Sequence, residues 1–109
     1  MIRNIVFDVG SVLVQVRPLE ALVDCGFDRA RADAVIGATF GKVGWKELDR
    51  GCLSKEDAIA ALKEGLDPGL QADVDFFFEK AVWNFVKPFP YSRRWLSSLR
   101  ERGYKVFIL

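Results

Sequence analysis

Asp8 is the residue of this sequence best placed to do chemistry. It closes a short apolar run, residues 2–7, and the turn Val9-Gly10-Ser11 follows at once. A carboxylate at the carboxyl end of a strand sits where the loops of open α/β sheets form their ligand crevice. The arrangement also has a plainer meaning, because aspartate before glycine is a common turn former. The remaining residues narrow the chemistry. There is no histidine among the 109 residues, which removes Ser-His-Asp and Cys-His catalysis and every histidine metal site. Cys25 and Cys52 match neither a metal spacing nor a disulfide framework. Any metal is therefore expected to be a hard cation on oxygen ligands.

The elements that must position Asp8 are legible as patterns. Residues 2–7 read as a buried strand ending at Asp8, and Val12-Leu13-Val14-Gln15-Val16 is apolar again until Arg17-Pro18 closes it. From about Pro18 to Val86 the pattern is helical. Pro18 opens a short helix that Cys25-Gly26 ends, and Asp28 caps the next, with Ala30, Ala34, Val35 and Ala38 as its apolar set. Gly41 and Gly44 are expected to break the chain before Trp45. Ser54-Lys55-Glu56-Asp57 resembles a capping box, Gly65 suits a helix end, and Asp67-Pro68 is another start signal. Lys87-Pro88-Phe89-Pro90 reads as a rigid extended linker. Ser92 is expected to cap a last helix that turns Trp95, Leu96 and Leu99 inward and leaves Arg93, Arg94, Arg100 and Arg102 in solvent. Gly103 ends it, and residues 104–109 form a second strand. A helix, a glycine and an apolar strand make half a turn of a parallel α/β sheet.

Composition bounds the function class. One small domain's length, half of it apolar, suits a packed globular chain. Sixteen basic against fifteen acidic residues leave a net charge of +1, too little to steer nucleic acid or an anionic membrane, so neither is an expected partner. No apolar run reaches membrane-spanning length, the N-terminus lacks a secretory pattern, and the cysteine usage suits a reducing, cytoplasmic setting.

Three segments together resemble one family. Ile5-Val6-Phe7-Asp8-Val9-Gly10-Ser11-Val12-Leu13 resembles the first motif of the haloacid dehalogenase (HAD) superfamily. Trp45-Lys46-Glu47-Leu48-Asp49-Arg50-Gly51 with Leu53-Ser54 resembles part of a small helical cap. Lys87-Pro88-Phe89-Pro90 through Leu99, Gly103 and Val106-Phe107-Ile108-Leu109 resembles the helix and strand that precede the second motif. The branch is similar to α-D-glucose-1-phosphate phosphatase-like proteins. The resemblance implies an α/β fold: residues 1–16 and 86–109 as a partial Rossmann-like core of two parallel strands, and residues 17–85 as an inserted helical cap.

It also implies a reaction, the hydrolysis of a phosphate monoester through a phospho-aspartyl intermediate. Asp8 is then the nucleophile, since a carboxylate ionised at neutral pH needs no base. By the same resemblance Asp8 and the main-chain carbonyl of Gly10 are magnesium ligands, and backbone N–H groups at Gly10 and Ser11 hold phosphate oxygens of a small phosphorylated metabolite such as a sugar phosphate. Plainer roles stand beside these. Ser11 suits a turn. Trp45, Phe76, Phe77, Phe78, Trp83 and Phe85 suit core and cap packing, and Glu47 and Asp49 suit the cap surface.

Two departures bear on activity. Most HAD phosphatases carry a second aspartate, a general acid, where this chain has Gly10, a loss best tolerated when the leaving group is itself acidic, as in a sugar 1-phosphate. The Ser or Thr of the second motif, the lysine of the third and the acidic metal ligands of the fourth are not among these residues, as in a truncated gene or an early stop. The expectation is therefore an incomplete and inactive phosphatase. The alternatives are a non-catalytic HAD-derived fragment acting as an interaction module, self-associating through its exposed sheet edge, and a haloacid dehalogenase.

Overall fold

A lone apolar strand is not stable in water, and β1 (Asn4–Phe7) finds its partner at the other end of the sequence, in β4 (Lys105–Ile108). The structure, a computed structural model, describes residues 1–109. β1 and β4 pair in parallel, with Asn4 opposite Lys105 and Phe7 opposite Ile108. The Lys105 N–H donates to Arg3 O and the Leu109 N–H to Phe7 O, both at 2.8 Å. Parallel strands need a crossover of a dozen or more residues, and all the other elements are accommodated between them. In chain order these are β2 (Val14–Val16), α1 (Pro18–Asp24), α2 (Arg29–Thr39), α3 (Val43–Asp49), α4 (Lys55–Lys63), α5 (Pro68–Glu79), a 3₁₀ turn (Ala81–Asn84), β3 (Val86–Pro88) and α6 (Ser92–Glu101). The fold is mixed α/β.

The chain divides into two compact units, Met1–Arg17 with Val86–Leu109, and Pro18–Phe85. In the first unit α6 packs on β4, and Phe7 is buried edge-on against Trp95, ring centroids 4.8 Å apart. The other face of the sheet is bare: Val6 is 59% and Phe107 50% exposed. In the parallel register the odd-numbered residues of β4 bond to β1, so the N–H and C=O groups of Val106 and Ile108 point to the open edge.

Two expectations for this unit are corrected. The 87–90 segment is more than a linker, because Val86–Pro88 pairs antiparallel with β2, Val14 opposite Pro88 and Val16 opposite Val86. The extended conformation that proline imposes on its predecessor suits a strand as well as a linker. Ser92 does not cap α6. Tyr91 holds the cap position without a side-chain bond to the helix end, and Ser92, 4% exposed, donates its hydroxyl to Leu13 O at 2.6 Å. A buried carbonyl needs a donor more than an exposed helix end needs a cap.

The second unit is helical, and short polar side chains start its helices. Asp28 accepts from Arg31 N at 2.9 Å, Ser54 from Asp57 N at 3.1 Å and Asp67 from Leu70 N at 3.1 Å. Leu22, Val35, Val74 and Phe77 are fully buried at its centre. Around them Phe40 lies 4.1 Å from Trp45 and Phe77 5.3 Å from Phe78, centroid to centroid. On α2 the buried stripe is Ala32, Val35 and Ala38; Val35 and Ala38 are as expected, but Ala30 and Ala34 are exposed and Ala32, midway between them, is the buried alanine of that turn. Trp83 is not packing material either: it is 78% exposed, with its indole N–H on Glu79 O at 3.2 Å. Gly44 does not break the chain. It lies inside α3, where an added Cβ would meet Ala58 O and Leu62 Cγ at 3.1 Å, so the glycine lets α3 approach α4. One ion pair ties α2 to α5. Arg31 meets Asp73 with two parallel bonds, Nε to Oδ2 at 2.8 Å and Nη2 to Oδ1 at 2.5 Å, and its guanidinium lies 4.1 Å from the centroid of the Phe27 ring. The hydrogen bonds from Arg31 hold the Asp73 carboxyl below its ordinary range, against the opposing effect of its burial.

Two tests follow from this packing. Gly44→Ala should destabilise by about 1–3 kcal/mol, whereas Gly37→Ala, a helical site with nothing within 4 Å of an added Cβ, should stabilise by about 0.5–1 kcal/mol; thermal melts of both variants check the contrast. Because the Asp73 pKa is lowered on folding, its contribution is present above the unfolded value of about 3.9 and lost as pH falls through the folded value. Asp73→Asn should therefore lower stability at pH 7 by about 1–3 kcal/mol and flatten the acid limb of a Tm-against-pH curve below pH ~4.

Candidate active-site loop at the end of the first strand

β1 ends at Phe7, and the next residue, Asp8, is exposed, its Oδ1 accepting the Val9 N–H at 2.7 Å. The chain then folds tightly back. Val9 O accepts from Leu13 N at 2.9 Å, Val14 N at 3.1 Å and Val12 N at 3.3 Å, and the Ser11 N–H donates to Val14 O at 2.8 Å. With that N–H engaged, the Gly10 N–H is the amide of this pair left for an anion. Neither the N–H nor the carbonyl of Gly10 takes part in these bonds, so both remain for a ligand.

The backbone demands at this turn are reversed from what the residue types suggest. Ser11 is the left-handed residue, φ 61°, a conformation that costs a side-chain-bearing residue about 1–2 kcal/mol. Gly10 has no positive φ, and an added Cβ would meet nothing nearer than Val16 Cγ2 at 3.8 Å. Glycine at position 10 is thus not required by the turn. Its effect is to leave the space two residues beyond Asp8 free of a side chain.

Three bonds from 89–92 pin this loop. Leu13 O accepts the Phe89 N–H at 3.0 Å as well as the Ser92 hydroxyl, and the Tyr91 hydroxyl donates to Val12 O at 3.0 Å. Tyr91 is in turn stacked on Phe89, centroids 5.2 Å apart and rings 8° from parallel. Leu13 itself is buried. The loop that carries Asp8 is therefore held by both backbone and side chains. The role of Ser92 and Tyr91 was not readable in the sequence. The available warning was at position 95, where Trp95 stands in place of the Glu or Gln that would complete a capping box with Ser92.

The charges around Asp8 are sparse. Asp8 takes no part in the ion pairs that join Arg29 to Asp33, Arg31 to Asp73, Arg50 to Glu47 and Lys63 to Asp75. Glu47 is thereby paired with Arg50 at 3.0 Å, and Asp49 is exposed at the end of α3. Lys105 lies opposite Asn4, four residues before Asp8 along β1, or about 13 Å at the rise of a strand, so it lies at the opposite end of the strand. No three His, Cys, Asp or Glu side chains converge into a metal-holding group. The Asp8 carboxylate and the Gly10 carbonyl are oxygen donors of the kind magnesium takes, but alone they make only part of a shell. What the loop offers by itself is one exposed carboxylate on a rigid turn beside an open main-chain N–H and carbonyl.

Comparison of the chain with protein-family models and with curated proteins found no match. No helix is long and apolar enough to cross a membrane.

The anchoring makes a sharp contrast in substitution effects. Gly10→Ala should change stability by less than about 0.5 kcal/mol, because the space is open. Ser92→Ala should cost about 0.5–1.5 kcal/mol and Tyr91→Phe less, since its bond is exposed. Urea unfolding of the three variants checks this order.

Proposed function

We propose that this chain carries the nucleophile-bearing part of a HAD-type phosphatase, with Asp8 as the residue that attacks phosphorus, and that it is incomplete and inactive alone. The observation that supports the reading best is the exposed Asp8 carboxylate at the carboxyl end of β1, beside a strand paired to it in parallel. In such a reaction the ionised Asp8 oxygen forms a bond to phosphorus as the ester oxygen leaves, and water later releases phosphate from the acyl phosphate. Gly10 would orient a phosphate oxygen with its N–H and lend its carbonyl to magnesium, and Ser11 would shape the turn that presents them. With no side chain at position 10, nothing there protonates the leaving group, and the substrates favoured are those with an acidic leaving oxygen, sugar 1-phosphates foremost.

Phosphoryl transfer is catalysed mostly by electrostatic stabilisation, and that is what these residues lack: no cation and no second acidic ligand accompany Asp8. The 109-residue chain should show no magnesium-dependent hydrolysis of an aryl phosphate above the level of its Asp8→Asn variant. Clear turnover that disappears in Asp8→Asn would overturn the claim of incompleteness. The lineage is tested separately by the nucleotides that follow codon 109: an open frame encoding Ser or Thr, then lysine, then paired acidic residues is expected, and a frame without them contradicts it. A chain extended through that frame should hydrolyse glucose 1-phosphate faster than glucose 6-phosphate.

The bare sheet face favours a second reading, an interaction module that associates with itself. Val6 and Phe107, which share that face, are both at least half exposed, and parallel sheets are normally covered on both faces. Sedimentation of the chain should show association that Phe107→Lys reduces; a monomer at all concentrations removes this reading.

A further inference from the structure

The open edge of β4 specifies what can cover it. Val106 and Ile108 turn their N–H and C=O groups away from β1, and no main-chain bond of the structure engages them. Donors and acceptors in that alternating row are matched by another extended segment. Sheet edges are commonly blunted by a charge, a proline or a bulge, and Val106-Phe107-Ile108 has none of these. The helix does not cover the edge either. Ile108 shares the α6 side of the sheet with Phe7 and is still 61% exposed. The opposite edge of the sheet, at Asn4 and Val6 of β1, has similar open groups, but Arg3 and Asp8 flank it and asparagine is a poor strand residue.

We propose that two copies of the chain join β4 to β4 across a twofold axis, antiparallel, with Phe107 opposite its counterpart in the second copy. The inference rests on the reading of the chain as a self-associating module, and assigns that contact to the edge in one register. In an antiparallel pair, facing residues whose N–H and C=O groups point at the partner strand exchange two bonds. Val106 of each copy set opposite Ile108 of the other uses every open main-chain group of both residues. The alternative of Val106 opposite its own counterpart brings Tyr104 opposite Ile108, and the Tyr104 N–H is already bonded to Leu99 O at 3.1 Å. The favoured register puts Phe107 on the axis as a non-hydrogen-bonded pair, with Cα atoms about 4.5 Å apart. Both rings then lie on the bare face, each beside Val6 of its own copy, because Val6 is opposite Phe107 in the β1–β4 pairing. Aromatic pairs across strands add to such a ladder. The product is one sheet in the order β1-β4-β4-β1. The surface joined is small, so the dimer is a weak one.

Amide exchange of the full chain at about 20 µM and about 1 mM tests this directly. Val106 and Ile108 should pass from fast to slow exchange as concentration rises, in step with the dimer seen by sedimentation. Val106→Pro removes an open donor without touching a bond to β1, a placement that proline accepts on an edge strand. It should weaken dimerisation at least tenfold, whereas Asn4→Pro, the same change on the β1 edge, should leave it within twofold. In a Cys25→Ser/Cys52→Ser background, oxidised glutathione should link Phe107→Cys into a disulfide dimer, since the facing Cα atoms are within reach. Lys105→Cys, whose copies would lie about 14 Å apart, should not link. Association that leaves Val106 and Ile108 in fast exchange, or that Val106→Pro does not weaken, overturns edge pairing but leaves the self-associating reading in place, with sheets stacked face to face. A loss in Asn4→Pro moves the contact to β1 and also overturns it. A chain monomeric at every concentration removes the inference and that reading together. Should Val106→Pro fail to melt cooperatively, the cysteine variants decide, and equal linking at 105 and 107, or at neither, contradicts the register.

Discussion

The parallel pairing of β1 with β4 is the constraint on which the rest depends. It joins residues from the two ends of the sequence, so its loop-closure entropy must be offset by everything between them. Once made, it settles two things together. Phe7 turns into α6 against Trp95, and Asp8, one residue further, emerges at the strand's carboxyl end with its carboxylate in solvent. Because side chains alternate along a strand, a slip of one residue would bury the carboxylate and expose the phenyl ring. The buried Phe7 is thus what keeps Asp8 outside.

Rigidity of the loop after Asp8 comes from satisfied carbonyls. The oxygens of Val9, Val12 and Leu13 all have donors, three on Val9, one on Val12 and two on Leu13. This holds Ser11 in its left-handed conformation, a strain that the surrounding bonds must offset. A turn so determined suits a group that must not move when a ligand arrives. The same region is poor in charge, and preorganised geometry without a counter-charge binds and orients but does little to stabilise a phosphoryl-transfer transition state.

Local signals carried much of this structure. Asp28, Ser54 and Asp67 were readable as helix starts because a short acceptor before a helical pattern has few other uses, and all three accept from the residue three further on. Strands at residues 2–7 and 104–109 were readable from runs of β-branched and aromatic residues. Long-range demands were not. Ser92 looks like a cap until Leu13, 79 positions away, needs a donor, and Gly44 looks like a breaker until α4 packs against it. Trp83 looks like core by type alone, yet it projects from a 3₁₀ turn whose register no periodicity predicts. At the candidate site the position of Asp8 was legible from the strand it ends. The reversal of roles between Gly10 and Ser11 was not, because backbone dihedrals at a turn of this kind depend on which carbonyl gathers the donors.

Amide hydrogen exchange along β4 measures the central pairing most directly. At concentrations where the chain is monomeric, the account predicts alternation: Lys105 and Leu109, whose N–H groups bond to β1, exchange slowly relative to Val106 and Ile108, whose N–H groups face the open edge. Uniformly fast exchange, or protection of Val106 and Ile108 in place of their neighbours, would mean that β4 does not hold β1 in this register, and the placement of Asp8 would lose its basis.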